Sequence, residues 1–214
     1  MLPRFEVLAT VDEIDPGKLR VIWTDEADEG IGDNRLYTDL RGAEWTEVEE
    51  VIAAEEAMIK SAESAATDAA EFERVIGEMM DEQYPGEDFD EGPLSAFAML
   101  DAGIMAAVAA LAAAGCLPTT SCRGHQDSGE ANPFVRFAAN EDRLPLIRNA
   151  CERSGSGLLM DGAGMLQIYA ADVLTMMEFA RQMLALRPSF EAIETEVVCE
   201  RPDDEYLYGM AKNI

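Results

Sequence analysis

The chain is short of basic residues: it has 16 Lys and Arg against 43 Asp and Glu, and only 3 of the 16 are Lys. The resulting formal charge of −27 repels a phosphate backbone from most directions, which argues against duplex or single-stranded nucleic acid as a ligand. Histidine is scarcer still, because His125 is the single imidazole of the 214 residues. A zinc site built from Cys and His would have to draw on Cys122-x-x-His125 plus Cys116, so no metal is expected in the site. The four cysteines, Cys116, Cys122, Cys151 and Cys199, lack CxxC pairing, which makes a disulfide framework improbable and suits a reducing compartment. Strongly apolar runs are missing too. The stretch from Leu94 to Leu117 contains Asp101 and is dominated by Ala, too weakly hydrophobic for a membrane span and better suited to a buried helix. The N-terminus, MLPRFEVLATVDEI, shows none of the regions of a secretory signal, so the expected location is the cytoplasm. Neither a P-loop Lys nor a dinucleotide-type Gly cluster is present, since Gly155, Gly157, Gly162 and Gly164 are spread over turns and helix ends.

What is present is an ordinary globular mixture, 48% hydrophobic and 28% charged, in a chain long enough for one generous domain or a core domain with an added arm. The acidity has a bland reading, solubility, and two functional ones: attraction of a basic partner protein, or imitation of nucleic acid in a DNA-binding groove.

The spacing of residue types predicts three regions. Residues 4 to 11 and 18 to 24, joined at Asp15-Pro16-Gly17, read as a β-hairpin within a small β unit over 1–43. The acidic run at 25 to 29 reads as a solvated turn, since Ala27 stands where an EF-hand loop needs its second ligand. A long helix is expected to start at a Thr46 cap with Glu49 closing a capping box and to run to Tyr84-Pro85-Gly86; with the acidic linker after it, this region covers 44–93. Within it Met58, Ala62, Ala65, Ala69, Phe72, Ile76 and Met79 form a coiled-coil-like seam at alternating steps of 4 and 3, which asks for a partner helix, either residues 94 to 114 of the same chain or a second copy in a homodimer. From 94 to 214 helices and strands alternate, with Gly115, Gly155, Asn140 and Asp172 at helix ends and Asp161-Gly162 in a turn. The expected class is α+β, a mostly antiparallel sheet with helices on one face.

One stretch reads as a chemical site. Thr119-Thr120-Ser121-Cys122-Arg123-Gly124-His125 follows a predicted strand over 117 to 122 and gathers a thiol, a guanidinium and the one imidazole within four positions. Cys122 and His125 are the candidate catalytic pair, thiolate and acid or base. Thr119, Ser121, Arg123 and Gly124 are the candidate ligand contacts: hydroxyls, a fork for an anion, and a backbone free to approach closely. Asp127 and Glu130 are the nearest carboxylates in sequence that could orient His125. On an extended strand Cys122 and Arg123 point to opposite faces, so they converge only if the strand has ended.

The run Leu111-x3-Gly115-x3-Thr119-x-Ser121-Cys122-x-Gly124-His125, followed by Pro133-Phe134-Val135-x-Phe137, resembles the motif of small uncharacterised proteins in bacterial and phage genomes. More distantly it is similar to the Ser-Ser-Cys-Ser-Gly-Arg segment of the wybutosine-synthesising tRNA methyltransferase family, with His125 where that family has Arg. The resemblance implies that Ser121, Cys122, Gly124 and His125 share one loop of a small α+β domain. Two functions stand open on the sequence: an acidic interaction or accessory protein binding a partner through its surface and helical arm, or an enzyme or small-ligand-binding domain using the loop. A DNA-mimic inhibitor is a third. The cofactor is unknown.

Overall fold

A computed structural model describes residues 2–31, 40–83, 97, 100–125 and 132–201. The acidic linker and the carboxylates of Asp127 and Glu130 lie outside the described residues.

The class is α+β. Strands β2 (Leu117–Cys122), β3 (Phe134–Ala138), β4 (Gly157–Met160) and β5 (Leu166–Tyr169) form an antiparallel sheet in the order β2-β3-β5-β4. Val135, Phe137, Leu158, Leu166 and Ile168 point from one face into the core. There they meet α4 (Met105–Ala113), α5 (Leu144–Ser154) and α6 (Val173–Ala185). Alternation does this: each residue of β5 swaps face with the next, so Leu166 and Ile168 are buried while Gln167 and Tyr169 are only partly so. Helix α4 is apolar all round and nearly wholly buried, as a central helix must be. None of the helices among the described residues is long and apolar enough to cross a membrane.

Local signals placed several boundaries well. Gly115 takes a φ of 75° and lets Cys116 N–H reach back to Leu111 C=O at 2.9 Å, which closes α4. Gly155, at φ 80°, ends α5 in the same way. The Asp172 carboxylate accepts the Thr175 N–H at 2.9 Å at the start of α6. Asn140 accepts from Arg143 N–H at 3.2 Å, although α5 itself begins only at Leu144.

Other expectations fail for reasons of longer reach. Residues 4 to 11 and 18 to 24 do not pair with each other. Asp15-Pro16-Gly17 leads into a short 3-10 turn, η1 (Pro16–Lys18), and β1 (Ile22–Trp23) pairs in parallel with β6 (Val198–Cys199). The first segment instead makes one parallel bridge, Val11 to Leu158, along the edge of β4. The acidic run expected as a turn is a short helix, α1 (Thr24–Glu29), in which Glu26 and Asp28 pair with Arg20 and Arg41. Against the strand expected over 189 to 199, Pro188 does not stop structure outright but fits the first turn of the short helix α7 (Arg187–Glu191), and strand follows only at β6.

The long helix divides in two, α2 (Trp45–Ala65) and α3 (Ala69–Gln83). Its cap is Glu44 rather than Thr46, with the Glu47 carboxylate accepting the Glu44 N–H at 2.7 Å. The break falls at Thr67-Asp68, where Asp68 accepts the Glu71 N–H at 2.9 Å and starts α3 as a side-chain cap. Met58, Ala62, Phe72 and Ile76 of the heptad seam are buried in the core of this same chain, with α2 resting on α4 and α6, while Ala65 is exposed. The apolar core is continuous from Trp45 on α2 to Phe190 on α7, so the 44–93 and 94–214 regions share it.

Candidate functional site

Among the described residues of the helix expected over 94 to 114, α4 begins at Met105, and what holds its beginning shapes the site. Gly103 sits at φ 97° with Val173 packed where a Cβ would project, at 2.6 Å, so a side chain there would meet both a strained backbone and a clash. The Glu55 side chain of α2, wholly buried, accepts N–H bonds from Gly103 at 2.6 Å, Met105 at 2.9 Å and Ala106 at 3.1 Å. These are donors that a helix N-terminus leaves unpaired, and a carboxylate also complements the positive end of the helix dipole. Burial nevertheless pushes the Glu55 carboxyl up to about 7, with the amide donors opposing that rise.

The segment that Glu55 holds on one side carries Asp101 on the other. The Asp101 carboxylate accepts the Arg123 backbone N–H at 3.0 Å, tying the turn before α4 to the end of β2. The strand stops at Cys122, and Gly124 then turns at φ 80°; a Cβ there would lie 2.9 Å from the Asn132 carbonyl carbon and 3.0 Å from the Phe5 ring. Only glycine takes that turn without strain, and the turn brings His125 back toward Cys122. Asp101, Cys122 and His125 each present a donor atom, and the three atoms lie within 4.8 Å of one another. The Gly124 N–H donates a hydrogen bond to the Cys122 Sγ at 3.3 Å.

His125 lies between two carboxylates. Its Nε2 is 3.5 Å from Asp101 Oδ2 and its Nδ1 is 3.6 Å from Glu73 Oε2, on α3. Glu73 also receives the Arg123 guanidinium at 2.7 Å. The thiol is buried, at 5% exposure, whereas the His125 and Asp101 side chains keep 35% and 34%, so the cluster has a closed floor and an open mouth.

The structure therefore brings Cys122, Arg123, Gly124 and His125 together, as the sequence suggested, and separates the hydroxyls from them. The Thr119 hydroxyl donates to Arg136 C=O at 3.2 Å across the β2–β3 ladder, next to a bulge between Pro118 and Thr120. Ser121 pairs in register with Val135 and projects to the face opposite Cys122. Arg123 spends its guanidinium on Glu73 rather than pointing outward, and its buried Nε has no hydrogen-bond partner among the described residues. Cys116, at the far end of β2, is fully buried and its thiol is pushed up to about 12 by burial, so it does not join the group. Asp101 and Glu73 were not among the sequence candidates. They lie 22 and 50 residues from Arg123, and Asp101 had stood out only as the one charge in an Ala-rich stretch.

Compared with family models, curated proteins and solved structures, the chain finds no match.

Proposed function

We propose that this chain is a small-ligand-binding or catalytic domain whose working group is the Asp101–Cys122–His125 cluster. The observation that carries the reading is the convergence itself: a thiol, an imidazole and a carboxylate from two separate segments within 4.8 Å, with Glu73 arriving from α3. Cys122 is the nucleophile or ligand contact, His125 the acid, base or donor beside it, and Asp101 the group that orients the imidazole from the Nε2 side. The setting we propose is cytoplasmic, a reducing compartment in which cysteines are kept as thiols. The test is the alkylation of chelator-treated protein with iodoacetamide, followed residue by residue. Cys122 is expected to react at least roughly tenfold faster than Cys116 and Cys151, whose thiols burial raises to about 12. Equal rates for the three would remove the reading.

The acidity supports a second reading, an accessory protein that holds a basic partner. The α2–α3 arm buries its apolar face and turns Glu49, Glu50, Glu63, Asp68, Glu78 and Asp81 outward on a chain of net charge −27. Such binding weakens as salt rises and survives the double substitution Cys122→Ala, His125→Ala. A complex indifferent to ionic strength would speak against it.

A further inference from the structure

We propose that Asp101, Cys122 and His125 form a three-ligand site for a zinc-class divalent ion, with Glu73 as the positioning residue that orients His125. The inference rests on the reading of this cluster as the working site and names its occupant.

The donor set is the first reason. A thiolate, an imidazole and a carboxylate are the ligand types of tetrahedral zinc, and three protein ligands with an open fourth position are the pattern of sites that keep a water or substrate on the metal. The closed floor at Cys122 and the open mouth at His125 and Asp101 provide that arrangement.

The geometry of His125 is the second reason. A tetrahedron with metal bonds of about 2.0 Å has edges of about 3.3 Å, and His125 Nε2 stands 3.5 Å from Asp101 Oδ2. With all three donors within 4.8 Å of one another, the triangle closes on a metal by side-chain shifts of about an ångström or less. On its other edge the ring presents Nδ1 to Glu73 at 3.6 Å. A metal-bound imidazole characteristically gives its second N–H to a carboxylate, which fixes the tautomer and the ring's direction. Glu73 is itself held by the Arg123 guanidinium, at 2.7 Å, so the orienting group is anchored in turn.

Charge is the third reason. A dication with the Cys122 thiolate, the Asp101 carboxylate and neutral His125 sums to zero, and Glu73 and Arg123 cancel each other beside it.

The experiment titrates chelator-stripped full-length protein with Co²⁺, which reports a thiolate ligand as a charge-transfer band in the near ultraviolet and a tetrahedral field as strong visible bands. One equivalent is expected to produce both, and Zn²⁺ to displace it. Cys122→Ser abolishes the charge-transfer band, His125→Gln and Asp101→Asn weaken binding, and Glu73→Gln lowers affinity by roughly 10- to 100-fold. Cys199→Ser leaves the spectrum unchanged. Circular dichroism checks that the Cys122→Ser chain is folded, and the partly exposed His125 supplies an independent variant if it is not. A wild-type chain without the charge-transfer band, or a band retained in Cys122→Ser, overturns the proposal. If the band is missing while Cys122 still alkylates rapidly in the chelator-treated chain, the metal site falls and the proposed working cluster stands; if both fail, both fall.

Discussion

Two carboxylates meet at the short turn before α4, Glu55 holding it from α2 and Asp101 reaching out from it to β2, and they are built for opposite purposes. Glu55 is wholly buried and accepts three backbone N–H groups, so every donor it faces is used. Asp101 is about one third exposed, and the same Oδ2 that accepts the Arg123 backbone N–H stands 3.5 Å from the His125 ring, beside the Cys122 thiol. The first arrangement is what a fold needs to hold a helix end; the second is what a site needs to meet something else. The contrast teaches that burial of a charge marks a functional group only when its neighbours do not already satisfy it.

The largest effect that would break this comparison is expected at Glu55. Replacing it with Ala strands three amide donors in the core and is expected to cost about 3 kcal/mol or more in a urea unfolding experiment. A loss below about 1 kcal/mol would show that the helix end is satisfied some other way.

The pH dependence of Glu55 sharpens the same point. Its carboxyl has an ordinary value of 4.5 when unfolded and is raised to about 7 when folded, so the native state holds the proton more tightly between those values. The stability it contributes is therefore complete below 4.5 and is lost as pH rises through about 7, by an amount on the order of 3 kcal/mol. Many other carboxylates titrate below this window, so the measurement is the difference in unfolding free energy between wild type and Glu55→Gln at each pH. That difference should shift steadily in favour of the Gln variant from pH 5 to 8. A flat difference would deny the raised value.

Gly124→Ala tests the turn that makes the site. The left-handed backbone and the close Asn132 and Phe5 contacts are expected to cost about 2 kcal/mol and to slow Cys122 alkylation by moving His125. Asp101→Asn is expected to have the smallest effect on folding, within about 1 kcal/mol, because the amide oxygen still accepts the Arg123 N–H. Its Co²⁺ affinity should nevertheless fall at least roughly tenfold. A variant that lost stability and kept the metal would reverse the roles assigned to the two carboxylates.

The same division explains what the sequence could reveal. The C-terminal ends of α4 and α5, the span of β2 and the Asp172 cap depend on residues a few positions apart, and glycine and aspartate mark the helix boundaries. The loop from Cys122 to His125 was legible for the same reason. Asp101, Glu73 and Glu55 act across 22 to 51 residues, and in an acidic chain a single buried Glu looks like any other. The N-terminal hairpin was misread because the partner of Ile22 is Val198, at the other end of the described chain, while Asp15-Pro16-Gly17 closes a 3-10 turn on its own. Periodicity found the seam of the arm but could not show that Asp68 caps a new helix within it.

The most direct test of the central claim is the alkylation rate of Cys122 in chelator-treated wild type against His125→Ala. If the thiol and imidazole form one working group, the rate falls by roughly tenfold or more when the ring is removed, while those of Cys116 and Cys151 stay as they were. A Cys122 rate that does not respond to the loss of His125 would contradict the account and leave the cluster as a packing arrangement.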